Sequence, residues 1–217
     1  MKPIAVVCLC IPLTIVTQAN AGFLAVEDFD SNLSGTVNDG MAGWRFTVDD
    51  DIYVESLGLF DNDSDGFNAS HQVGIWDATG ATLLASTTVQ AGTASAAQGP
   101  TIRFGVFRFE SIAPLALSAG ESYIIGANYV SDDQFYYAAF DISSSSSISS
   151  ITGVRSDAGS GFVAPMLGAS NRFGPNFTFT TAAEPVPEPS TLALFGIGGL
   201  GLCSYRWRRK RMLNPEM

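Results

Sequence analysis

The chain has 217 residues, 11 Lys+Arg against 21 Asp+Glu, a single His and a formal net charge of −10 at pH 7. Lys2 stands near the start, and Arg206, Arg208, Arg209, Lys210 and Arg211 near the end, so the middle keeps only Arg45, Arg103, Arg108, Arg155 and Arg172. That acidic middle excludes a nucleic-acid or anionic-membrane partner, since phosphate binding needs clustered Lys and Arg, and it favours solubility and weak cation binding.

The first residues form a secretory signal, predicted over residues 1–21. Lys2 gives it a positive start. Ile4 to Val16 is apolar except for Pro12 and Thr14, and Ala19-Asn20-Ala21 offers small residues at the two positions a signal peptidase reads, placing cleavage after Ala21. The apolar run falls short of the ~20 residues of a membrane span. No cysteine stands just after it, which removes a lipoprotein. Cys8 and Cys10 lie in this segment and Cys203 in the tail, so the exported part has no cysteine and relies on its core.

Residues 22–183 are predicted to fold as one all-β domain, an antiparallel sandwich of jelly-roll type with about eight or nine strands. "WRFTV" puts Trp44, Phe46 and Val48 on one face. "DIYVESLGLF" puts Ile52, Val54, Ser56 and Gly58 on one side, with Tyr53, Leu57 and Leu59 opposite. "HQVGIW" aligns Val73 and Ile75, and "ATLLASTTV" follows the turn "DATG". "TIRFGVFRFE" reads as one strand that slips register near Phe107, a sign of a bulge. Pro114 cannot donate to a ladder, and Ala119-Gly120 makes a tight turn. "SYIIGANYV" alternates Tyr123, Ile125, Ala127 and Tyr129, and "QFYYAAF" and "NFTFT" complete the set. The serine run "DISSSSSISS" is predicted to be a loop.

Four groups of residues are candidate sites. Asp61, Asp63, Asp65 and Gly66 repeat the D-x-D-x-D-G start of a calcium loop. Position 12, however, is the neutral Gln72 where a bidentate Glu is required, and strands flank the loop instead of helices. A weak calcium site on the three carboxylates competes with a hairpin turn. His71 has no second His or Cys for zinc, and no serine sits in a G-x-S-x-G elbow, so its expected role is to hydrogen-bond the acidic loop and fix its shape. Asp49-Asp50-Asp51 and Asp132-Asp133 are the acidic pairs a glycosidase would need, against a reading as solvated turns. Trp44, Trp76, Tyr136 and Tyr137 could stack sugars if exposed; adjacent Tyr136 and Tyr137 point to opposite faces of a strand. No catalytic residue is assigned, and no cofactor beyond the optional calcium.

A Pro-rich linker, residues 184–190, leads to an apolar, glycine-rich segment and basic end over residues 191–211. Leu192 to Tyr205 is short for a full span. Tyr205 and Trp207 sit where an interfacial aromatic belt would, and the basic cluster predicts a cytoplasmic C-terminus. Pro187-Glu188-Pro189, the apolar transmembrane segment and the arginine-rich end together resemble a PEP-CTERM sorting signal. The resemblance implies a Gram-negative bacterium that makes exopolysaccharide and biofilm. It also implies a membrane-embedded exosortase as partner, transient anchoring in the inner membrane, tail removal near the PEP motif and release to the cell surface or matrix.

 Trp44 to Tyr129, with "GPNF" at Gly174–Phe177, is similar to a β-rich ectodomain common among PEP-CTERM proteins, in which a Leu-Gly-hydrophobic-aromatic-Asp strand end precedes a His-x-Val-x-hydrophobic-Trp strand. That group has no established activity, so the likeness bears on fold and location alone. The expected function is a non-enzymatic structural or adhesive component of an exopolysaccharide matrix. A carbohydrate-binding module and a glycan hydrolase are the alternatives.

Overall fold

A computed structural model describes residues 22–29, 34–35, 40–62, 64–102, 105–129, 136–138, 142–168 and 172–181. The predicted signal (1–21) and the predicted transmembrane tail (191–211) lie outside them. No helix among the described residues is long and apolar enough to cross a membrane. Every regular element described is a strand: β1 (Phe23–Leu24), β2 (Val26–Phe29), β3 (Ser34–Gly35), β4 (Gly40–Val48), β5 (Ile52–Asp61), β6 (His71–Asp77), β7 (Leu83–Val89), β8 (Ala96–Ile102), β9 (Gly105–Leu117), β10 (Ser122–Tyr129), β11 (Tyr136–Ala138), β12 (Ile142–Ser144), β13 (Ile148–Arg155), β14 (Leu167–Gly168), β15 (Arg172–Phe173) and β16 (Pro175–Thr180). All their pairings are antiparallel.

Two sheets dominate, ordered β1-β16-β5-β9-β8 and β14-β13-β4-β10-β6-β7. They share one core because their alternating apolar faces meet. Trp44, Phe46 and Ile125 from one sheet pack with Leu57, Leu59 and Phe177 from the other. Trp44 stacks on Phe177 with ring centroids 5.8 Å apart, and Phe46 lies 5.1 Å from the same ring. Trp44 Nε1 donates to the Pro175 carbonyl at 2.6 Å, so the indole's one polar atom is satisfied within the core. Each such large side chain contributes about 1.5–3 kcal/mol of burial.

The change of apolar phase along β5 has a backbone cause. Ile52 and Val54 are buried, then Leu57 and Leu59. Val54 pairs with Phe179 and Ser56 with Thr178, leaving Glu55 as an extra residue opposite β16. One inserted residue reverses the alternation, and Leu57 and Leu59 regain the core face.

Two segments differ from the sequence expectation. "TIRFGVFRFE" is not one strand: Ile102 pairs with Gly105, so the segment is the corner of the β8–β9 hairpin. Against β8 the register slips beside Phe107, between the Gln98–Phe107 and Ile102–Gly105 pairs, as expected; against β5 Phe107 stays in regular register with Phe60, and a second irregularity falls between Ser111 and Leu115, around Pro114. A bulge there accommodates a residue with no N–H to donate. The serine run is not a loop either. It supplies β12, a turn closed by Ile148 N–H to the Ser145 carbonyl at 3.0 Å, and β13 against β4. Ser147 and Ser149 hydroxyls donate to Asp50 and Asp49 at 3.0 and 2.8 Å, which gives a polar strand partners that composition does not reveal.

Candidate functional site

The acidic loop begins where β5 ends. Asp61 closes that strand with 2% of its surface exposed, and Arg108 faces it from β9. Arg108 Nε donates to Asp61 Oδ2 at 2.6 Å, a buried ion pair. Arg108 also donates to the Ser64 carbonyl at 3.1 Å, and Asp61 Oδ2 accepts the Gly66 N–H at 3.0 Å. One guanidinium and one carboxylate thus bind both limbs of the turn. A guanidinium against Asp61 already supplies the positive charge that a metal ion would bring, and it repels a second cation. Asp65 is exposed, and Asp63 lies outside the described residues.

The far limb is fixed by backbone contact. Gly66 has φ +102°, and a Cβ there would come within 2.5 Å of the Gly92 backbone, so this position requires glycine. Phe67 and Gly92 exchange both backbone hydrogen bonds, at 3.3 and 2.6 Å, and Phe67 is buried. His71 Nδ1 lies 3.0 Å from the Asn128 carbonyl of β10. A carbonyl only accepts, so Nδ1 carries the proton. The ring also packs edge-on against Phe67 of the loop, at 5.3 Å. His71 therefore ties the loop exit to β10.

The other acidic candidates are also occupied in turns. Asp49 accepts from Ser149 of β13 and Asp50 from Ser147 in the turn before it, and Asp51 accepts the Ala119 N–H at 2.8 Å. They join three chain segments at one end of the fold. Asp132 and Asp133 lie outside the described residues. Asp77, after β6, accepts from the Thr79 N–H, the Thr79 hydroxyl and the Ala81 N–H at 3.1, 2.7 and 3.1 Å. Hydrogen bonds from the Thr79 and Thr82 side chains, followed by backbone bonds, lower its pKa from 3.8 to about 2.

The sugar-stacking candidates separate. Trp44 and Trp76 are buried, Trp76 beneath Phe162 at 5.1 Å, so neither offers a face to a ligand. Tyr136 and Tyr137 pair through their backbones with Gly35 and Ser34, and their side chains lie outside the description. Sequence reasoning missed two residues that organise the domain. Arg108 was recognisable as a lone cation between Phe107 and Phe109. Asn176 is fully buried, and its amide accepts from Val26 N–H at 3.0 Å and donates to the Val26 carbonyl at 2.8 Å, standing in for a strand partner. Nothing in its local sequence announces that role.

An antiparallel all-β domain precedes the Pro-rich segment and the basic end. A family model for the PEP-CTERM protein-sorting motif matches residues 185–210. That range contains Pro187, Glu188, Pro189, Arg206, Arg208, Arg209 and Lys210; Arg211 falls one residue beyond it. The chain is a PEP-CTERM domain-containing protein, and the motif implies export, exosortase processing and sorting to the cell surface. No curated protein matches the chain.

Proposed function

We propose that this is a non-enzymatic structural or adhesive component of an exopolysaccharide matrix, built as a jelly-roll-like β-sandwich. The sorting motif at residues 185–210 carries the reading. Signal peptidase cuts after Ala21, the tail holds the precursor in the inner membrane, and exosortase removes it near Pro187-Glu188-Pro189. The β domain then enters the cell surface or matrix. The carboxylates of Asp49, Asp50, Asp51 and Asp61 support a structural role, because each is committed to holding turns together.

The test is retention of the exported protein on the producer's own exopolysaccharide, with and without calcium. Retention that survives a chelator, with no glycan cleavage, is expected. Release of reducing ends would contradict the reading in favour of a hydrolase. Saturable binding of short oligosaccharides would replace it with a carbohydrate-binding module.

A further inference from the structure

Hydrolysis of the Ala21–Gly22 peptide bond consumes one water and leaves a carboxylate on Ala21 and an ammonium on Gly22. The fold places a partner beside that new charge. Gly22 stands directly before β1, against β16. A Cβ there would lie 3.1 Å from the Phe179 carbonyl oxygen and 3.3 Å from Glu55 Oε2. By standard bond lengths the α-nitrogen sits about 2.5 Å from such a Cβ, so it falls within about 6 Å of that carboxylate oxygen. Opposite charges at this separation favour each other's charged forms.

The bulge of β5 puts Glu55 in this position. Glu55 is the extra residue between the Val54–Phe179 and Ser56–Thr178 pairs. Its side chain is half-buried, and Oε1 accepts the Thr180 hydroxyl at 3.2 Å, while Oε2 is the oxygen toward Gly22. Among the described residues no cation is paired with it. β1 and β16 bring no charged side chain to the spot, and the other carboxylate of β5, Asp61, is held by Arg108. Tyr53, the remaining titratable side chain of β5, lies across from Thr180. β1 pairs with β16 over two residues, so the start of the strand has few other ties. Composition isolates the new group as well. Lys2 and Lys210 are the only lysines, so a chain that has lost its signal and its tail keeps one primary amine, that of Gly22.

We infer that removal of the signal completes a clamp, in which the new Gly22 α-ammonium pairs with the Glu55 carboxylate and Glu55 fastens both β1 at its start and β16 at Thr180, the last strand before the sorting tail. The precursor has a neutral amide at Gly22 and lacks the pair; the processed domain has it. Signal cleavage and closure of this sheet edge are thereby coupled. The inference rests on the cleavage after Ala21 proposed above.

The test is the rate at which the α-amine of the exported protein, purified from producing cells, reacts with an amine-selective acylating reagent near neutral pH. The label is located by mass on the peptide that begins at Gly22. The natural sequence is compared with Glu55→Gln, which keeps an acceptor for Thr180 and removes the charge, and unchanged circular dichroism verifies the fold. Only the unprotonated amine reacts, so a paired carboxylate slows the reaction. Labelling about threefold slower in the natural protein is expected, the scale of one partly exposed ion pair, with the gap closing in about 1 M salt. Equal rates from a Gly22 start would overturn the inference alone. A gap that salt leaves unchanged would also overturn it, because that is shielding by bulk and not by charge. A mature protein that begins at another residue would overturn the inference and the cleavage position together.

Discussion

Asp61 and Arg108 are buried together, so neither charge can be removed cleanly. An ion pair taken out of water gains little net stability, but breaking one side leaves the other charge buried without its counter-ion. Arg108→Met is expected to destabilise the domain by about 3–5 kcal/mol. The double variant Asp61→Asn with Arg108→Met should recover part of that loss. Urea unfolding of the exported protein measures both, and equal or greater loss in the double variant would contradict the pairing. Asn176 makes a similar point without charge. Asn176→Leu leaves both polar groups of buried Val26 without their partner, at a cost of about 1–3 kcal/mol for each group. The same unfolding experiment reads it, and a loss below about 1 kcal/mol would show that β2 does not depend on that amide.

The β6–β7 turn shows how one side chain sets an element. Asp77 gathers the N–H groups of Thr79 and Ala81, while Gly80 takes φ +72° to complete the reversal. Its folded pKa of about 2 lies below the ordinary 3.8, so folding favours the carboxylate. That contribution is fully present above the unfolded value and is lost as pH falls through the folded one. The melting-temperature advantage of the natural chain over Asp77→Ala should therefore shrink as pH falls from about 3.8 toward about 2. A gap constant across that window would contradict it. This turn and the strands beside it were legible because "DATG" is a turn signal between alternating runs. Trp44, Phe46 and Val48, and Val73 and Ile75, are all buried as alternation predicts. The β8–β9 corner was not legible, because alternation continues across Arg103 and Phe104 while the chain reverses. The serine strand was hidden for another reason: its partners, Asp49 and Asp50, are about a hundred residues away in the chain.

At the scale of the whole molecule, the ends and the middle carry different information. The tail is read by an enzyme as a linear string, so its residues identify it without any fold, and residues 185–210 were legible as a sorting motif. The middle is read only after folding. Its acidic loop resembled a metal site because Asp61, Asp63, Asp65 and Gly66 have the required spacing, yet spacing does not reveal that Arg108 arrives against Asp61 from β9. The candidate site was therefore legible in its residues and not in their use. The central claim is that the tail delivers the β domain and is then removed. Intact-mass analysis of the protein recovered from the cell surface and medium, compared with cells lacking exosortase, tests this most directly. The account predicts a species that begins after Ala21 and ends near Pro187-Glu188-Pro189 in normal cells, with the tail retained when exosortase is absent. Surface protein that still carries Arg206 to Arg211 in normal cells would contradict it.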